Sequence, residues 1–123
     1  MKFYLCKHCG NLVGLVHDGS VPMTCCGEEM TLLVPNTVDA AAEKHVPVIH
    51  CADGSVTVDV GSTTHPMLAE HCIQWIYLQT ARGGQRKNLA PGDAPQAVFA
   101  LVDDTPMAAF AYCNLHGLWT AQA

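Results

Sequence analysis

The chain is short of positive charge. Six lysines and arginines stand against eleven aspartates and glutamates, for a formal net charge of −5. With no basic patch to neutralise phosphates, the composition argues against general nucleic-acid binding. Arg82, Arg86 and Lys87 are the one basic cluster, and beside Gly83-Gly84 they read as a solvated turn. Half of the 123 residues are apolar, yet no apolar run approaches the roughly 18 to 20 residues of a membrane span. The opening residues, Met1-Lys2-Phe3-Tyr4-Leu5-Cys6-Lys7, contain no apolar segment ending in a cleavage site, so the expected compartment is the cytoplasm. Internal repeats, low-complexity tracts and the H-E-x-x-H spacing of zinc proteases are also missing. An even cysteine count is missing too. Seven cysteines cannot all pair, and their spacings read as metal ligands kept reduced rather than as a secreted disulfide framework.

What is present begins with sulfur. Cys6-Lys7-His8-Cys9-Gly10 is a knuckle: two cysteines three apart converge on one cation, and the glycine permits the tight turn. Cys25-Cys26-Gly27 adds two more thiols. Adjacent ligands cannot repeat the knuckle, so a tetrahedron distorted at its S–metal–S angle is expected. Residues 1 to about 36 hold few large apolar side chains and cannot bury enough surface to fold alone; a metal on four thiolates would supply the missing free energy. Two readings stand for this site, an iron centre passing one electron at a time and a structural zinc ribbon. Pro35-Asn36 reads as a linker.

From residue 46 the pattern is β. The β-branched runs Val46–Cys51 and Val56–Gly61 flank an Asp53-Gly54 turn, a strong hairpin signal. Cys72–Leu78, Ala97–Val102 and Ala108–Tyr112 are further strands, divided by a break at Gly83-Gly84 and by Asp103-Asp104-Thr105-Pro106. Short strands at regular spacing predict an all-β sandwich or barrel. Only Val38–Glu43 looks helical, and for no more than a turn.

A second donor set lies in this β region. Cys113-Asn114-Leu115-His116-Gly117, with His45, His65 and His71 upstream, offers one sulfur and four nitrogens. Tetrahedral zinc has no use for five such ligands, whereas iron accepts five or six and can keep a position open for a small molecule. His8, His17 and His50 read as ordinary histidines, with His50, five residues after His45, as the named rival for a ligand position.

Three stretches carry a family resemblance: Glu43-Lys44-His45-Val46-Pro47, His65-Pro66-Met67 with Glu70-His71, and Cys113-Asn114-Leu115-His116-Gly117-Leu118-Trp119. They resemble superoxide reductase, and the four-cysteine segment resembles desulforedoxin. In this order the two resemble desulfoferrodoxin, the two-iron superoxide reductase family, over nearly the whole chain. The resemblance implies a small metal-stapled β domain, residues 1–36, with iron on Cys6, Cys9, Cys25 and Cys26. A catalytic domain, residues 37–123, is then an immunoglobulin-like antiparallel β-barrel or sandwich. Its iron sits in a square pyramid with His45, His65, His71 and His116 equatorial, Cys113 axial and the sixth position open in the ferrous state.

The same resemblance implies one-electron reduction of superoxide to hydrogen peroxide. Lys44 attracts the anion, Glu43 closes the sixth position of the ferric form, a rubredoxin-like donor returns the electron, and the protein is a homodimer. Cys51 and Cys72 are assigned no metal; Cys72 stands where an aromatic is more typical of the family and reads as a small buried hydrophobe. Two alternatives remain open at this point, a superoxide dismutase and a non-enzymatic interaction module held together by zinc.

Overall fold

The computed structural model describes all 123 residues, which divide into two compact units, Met1–Val34 and Pro35–Ala123. The first unit holds β1 (Lys2–Leu5), β2 (Leu12–Leu15), β3 (Thr24–Cys25), β4 (Glu28–Glu29) and β5 (Thr31–Leu32). Strand β1 lies antiparallel between β2 and β5, while β3 and β4 form a separate ribbon. Phe3, Cys6 and Met30 are the buried side chains here, too few to hold a fold without a cross-link. The ribbon turns on Cys26 and Gly27, both with positive φ (53° and 76°), the backbone of a two-residue type I′ hairpin. That turn lets adjacent cysteines escape the opposite faces an extended strand would give them.

The second unit begins with α1 (Ala42–His45) and continues with β6 (Pro47–Ala52), β7 (Ser55–Val60), β8 (Ile73–Thr80), β9 (Gly83–Asn88), β10 (Gln96–Ala100), β11 (Pro106–Cys113) and β12 (Gly117–Gln122). Two antiparallel sheets result, ordered β10-β7-β6 and β12-β11-β8-β9. Strict alternation aims Val56, Val58 and Val60 of β7 and Ala97 and Phe99 of β10 inward, against Ile73, Ile76, Leu78, Ala109 and Ala111 of the other sheet. This three-on-four sandwich is the all-β architecture the strand spacing predicts. Edge strand β9 closes over β10: Gln85 Nε2 donates to Ala100 O at 2.8 Å, and Lys87 Nζ donates to Val98 O with its ammonium 5.5 Å from the Phe99 ring centroid. No helix is long and apolar enough to cross a membrane.

Four local expectations are corrected. Gly83-Gly84 begins a strand instead of marking a break, so Arg86 and Lys87 stand exposed on β9 while Arg82 occupies the turn before it. The glycine at 84 is there because the Tyr77 ring crosses it; a Cβ would fall inside the tyrosine hydroxyl. The helical turn is Ala42–His45 rather than Val38–Glu43, and it stops where Val46, preceding Pro47, is extended (ψ 123°). Asn36 is no free linker: it donates from N to Leu118 O (3.1 Å) and from Nδ2 to Thr120 O (3.1 Å), and accepts from Thr120 N (2.9 Å). Its partner strand, β12, was not foreseen, although it buries Leu118 and Trp119.

Phe99 is fully buried at the centre of the second unit. Phe99→Ala is expected to lower stability by about 3–5 kcal/mol through lost transfer energy and a residual cavity. Urea unfolding of the two proteins, prepared identically, measures it.

Candidate metal centres

In the first unit the loop closing β1 to β2 is pinned by Cys6 N donating to Asn11 O (2.8 Å) and Gly10 N donating to Cys6 O (2.9 Å). It faces the β3–β4 turn, and Cys6, Cys9, Cys25 and Cys26 place all four sulfurs within 4.8 Å of one another. Cys9 and Cys25 are 3.6 Å apart, Cys25 and Cys26 3.9 Å, and none is in a disulfide. Asn11 adds two donors, its backbone N–H to Cys9 Sγ (3.4 Å) and its Nδ2 to Cys25 Sγ (3.7 Å). Crowding sets the thiols against each other. Backbone donation from Cys9 pulls Cys6 down to about 6, while hydrogen bonds with the Cys9 sulfur push Cys26 up to about 12. Four thiols this close cannot all ionise alone, and a shared cation removes the conflict.

The second set is delivered to one end of the sandwich. Registers Pro47↔Val60 and Cys113↔Ile73 put the start of β6, the end of β7, the start of β8 and the end of β11 at corresponding ends of their sheets. His45 comes from the end of α1, His65 from the loop after β7, and His71 from just before β8. Cys113 and His116 come from the β11–β12 hairpin, whose turn closes on Gly117 at φ 75°. The four imidazoles form a closed ring. Successive centroid distances are 4.7 Å (His45–His65), 4.7 Å (His65–His71), 5.1 Å (His71–His116) and 4.8 Å (His116–His45), each pair nearly perpendicular. The diagonal His45–His71 is longer, at 6.3 Å. The Cys113 sulfur lies with the facing nitrogens of His45, His65 and His71 inside 4.8 Å, and 3.9 Å from His116 Nδ1.

The protonation pattern tests whether these donors fit a metal. His45 Nδ1 donates to Ala41 O (2.7 Å) and His65 Nδ1 to Pro66 O (2.6 Å), which leaves both Nε2 atoms as bare lone pairs. Those lone pairs face one another at 3.2 Å, and His45 Nε2 is also 3.1 Å from His116 Nδ1. His71 Nε2 is buried with no hydrogen-bond partner. A second proton on either ring is disfavoured, because burial lowers His45 and drives His65 down to about 4, so the His45–His65 contact stays one of neutral nitrogens. Burial raises the Cys113 thiol, and backbone N–H groups of His116 and Leu115 pull it back. Converging neutral nitrogens around a buried sulfur fit a thiophilic, imidazole-binding cation, and five donors fit iron better than zinc.

Glu43 and Lys44 stand exposed on α1, just before His45. The ring is buried on its His45–His65 side and half-buried at His71 and His116. After burial and His116, the Lys44 charge is among the influences lowering His71. The three remaining histidines lie elsewhere. His8 pairs with Glu28 (2.9 Å), His17 is exposed, and the rival His50 pairs with Asp59 on the outer face of β6 (3.4 Å).

Two supporting roles were not assigned from the sequence, although Trp119 stands in the Cys113–Trp119 stretch. Trp119 stacks on His45 at 4.9 Å, and its Nε1 donates to His116 O (3.0 Å). Gly61 is the seat of the α1 backbone: a Cβ there would fall 2.6 Å from Glu43 O and 3.1 Å from His45 N. A glycine closing a β-branched run was the available signal.

Comparison with known proteins agrees with this geometry. The Desulfoferrodoxin family profile matches residues 37–122, and the Desulfoferrodoxin, N-terminal domain profile matches residues 1–33. The chain belongs to the desulfoferrodoxin family. A desulfoferrodoxin of Syntrophotalea carbinolica is 48% identical over 122 residues, 99% of this chain and 96% of that one. The crystal structure of the superoxide reductase from Treponema pallidum superposes with a TM-score of 0.81 at 38% identity, covering 98% of each chain. The one-iron superoxide reductase of Giardia intestinalis covers 66% of this chain and 97% of its own, with a TM-score of 0.56 at 32% identity. As a family member this chain carries a four-cysteine site and a four-histidine, one-cysteine site, donor sets that fit two irons.

Iron analysis after challenge with a chelator separates ligands from decoys. His50→Ala is expected to keep the wild-type iron content. His65→Ala removes a donor and Gly61→Ala displaces the α1 backbone, so both are expected to lose second-site iron while the four-cysteine site stays loaded.

Proposed function

We propose that the chain is a superoxide reductase, converting superoxide, one electron and two protons into hydrogen peroxide. The observation that carries this is the ring of four imidazoles around a buried thiol, less enclosed at His71 and His116 than at His45 and His65, with the exposed Glu43 and Lys44 directly before the ring member His45. His45, His65, His71, His116 and Cys113 would hold iron, which would supply the electron and a free coordination position for a small anion. The second unit, Pro35–Ala123, is the catalytic domain in this reading, and the first, Met1–Val34, would hold the other iron on Cys6, Cys9, Cys25 and Cys26.

The chain's own groups do the rest. The formal net charge of −5 repels an anionic substrate, so Lys44 has to supply a local attraction on the less enclosed side. Its ammonium also orients the water from which the product takes its protons. Glu43, exposed one residue away, offers an oxygen donor suited to the harder oxidised ion. Cys113, enclosed in the protein, keeps its sulfur away from water and receives the N–H groups of Leu115 and His116. The Ala41 and Pro66 carbonyls hold His45 and His65 as Nδ1–H tautomers, while Trp119 packs on the His45 ring and holds the His116 carbonyl.

Re-reduction comes from a redox donor. The finer reading is a rubredoxin-like protein acting on a homodimer in the cytoplasm. The first two rest on the family resemblance, and the compartment rests also on seven free thiols.

Lys44→Ala is expected to slow the second-order reaction with superoxide several-fold and to flatten its salt dependence; pulse radiolysis at two ionic strengths reads both, and an unchanged rate refutes the steering role. Cys9→Ser, loaded at the second site, is expected to retain peroxide formation without evolving oxygen. Stoichiometric oxygen release would indicate dismutation instead.

A further inference from the structure

One side chain ties the β11–β12 turn to the segment entering β8. Asn114 stands between Cys113 and His116, and its backbone N–H donates to Cys72 O at 3.2 Å. Its carboxamide extends the contact: Cys72 N donates to Oδ1 at 2.9 Å, and Nδ2 donates to Glu70 O at 3.0 Å. Glu70 and Cys72 flank His71. All three bonds therefore grip the peptide that carries His71, and they come from the turn that carries Cys113 and His116.

The other rings are fixed differently. His45 and His65 are aimed by Nδ1 bonds to nearby carbonyls, and the His116 carbonyl is held by Trp119. His71 exchanges backbone bonds with Leu68 (2.9 and 3.2 Å), which closes its own loop without referring it to the other donors. Its Nε2 is buried without a hydrogen-bond partner. The Cys113↔Ile73 register ties the start of β8 to the hairpin, and Asn114 extends that tie across both residues flanking His71. A carboxamide presents an acceptor and a donor on one rigid plane, a combination an aspartate cannot reproduce at Glu70 O.

We propose that Asn114 is a positioning residue that sets the distance of His71 from Cys113 and His116, and thereby how tenaciously the second site keeps its metal. The inference rests on the second-site assignment above and deepens it. It differs from a general role in the fold because all three bonds reach the two residues beside one ring.

Cobalt(II), added alone to the metal-free full chain, is the probe. Wild type, Asn114→Ala and Asn114→Asp are loaded at both sites, and cobalt loss to a chelator is followed at each, the four-cysteine site serving as internal standard. Second-site loss is expected to accelerate about 10–100-fold in Asn114→Ala, with a displaced thiolate-to-cobalt band and unchanged first-site loss. Asn114→Asp, which keeps the acceptor for Cys72 N–H but loses the donor to Glu70, is expected to fall between. Wild-type loss rates in both variants overturn the proposal, as does a lowered melting temperature with the band unmoved. If Asn114→Ala does not fold, Asn114→Asp decides alone, and a wild-type rate there overturns it. A wild type that takes up cobalt only at the cysteines brings down the second-site assignment itself, and the inference with it.

Discussion

His45 and His65 each spend their Nδ1 proton on a backbone carbonyl, so their remaining nitrogens confront one another as lone pairs across 3.2 Å, with His116 Nδ1 3.1 Å from the first. Burial disfavours a second proton on either ring. A cation at the centre would take these lone pairs together with that of the unpartnered His71 Nε2, and much of the second unit converges on that point. The donors come from α1, the β7 loop, the entry to β8 and the β11–β12 hairpin. Four separate approaches meet at one point because the strand registers bring those chain ends to the same end of their sheets.

The same enclosure divides the site into a supported side and a working side. His45 and His65 are buried, Trp119 stacks behind His45, and Cys113 lies wholly inside. His71 and His116 are half-buried, and the Lys44 charge is felt there. In the proposed reaction a small anion meets a protein of the wrong overall sign, which is why the Lys44 ammonium is given the steering role. Gly61 serves that placement indirectly, since the backbone of Glu43, Lys44 and His45 rests where its side chain would be.

In the first unit the metal takes the place of a core. Phe3, Cys6 and Met30 bury too little surface to hold five short strands, whereas four sulfurs on one ion join the knuckle to the β3–β4 turn. The exposed Cys9 and Cys26 leave one flank of that site near solvent, which suits electron exchange as well as it suits a staple.

The sequence by itself determined the donor chemistry and the fold class. A Cys-x-x-Cys knuckle, a cysteine pair before glycine and a Cys-x-x-His turn are read from residue type and local spacing, and β-branched runs around Asp53-Gly54 declare a hairpin without any tertiary partner. Long-range contacts decided the rest. Gly83–Asn88 became a strand because β8 pairs with it along its whole length, with Tyr77 lying over Gly84, and Asn36 joined the second unit because β12 offered it three hydrogen bonds. Nothing local separates His45 from His50, five residues apart. Register does: His50 lies opposite Thr57 on an outer face beside Asp59, while the end of α1 turns His45 into the ring. Which nitrogen each ring presents was likewise a tertiary matter, because a tautomer is set by the carbonyl or sulfur that folding brings within reach.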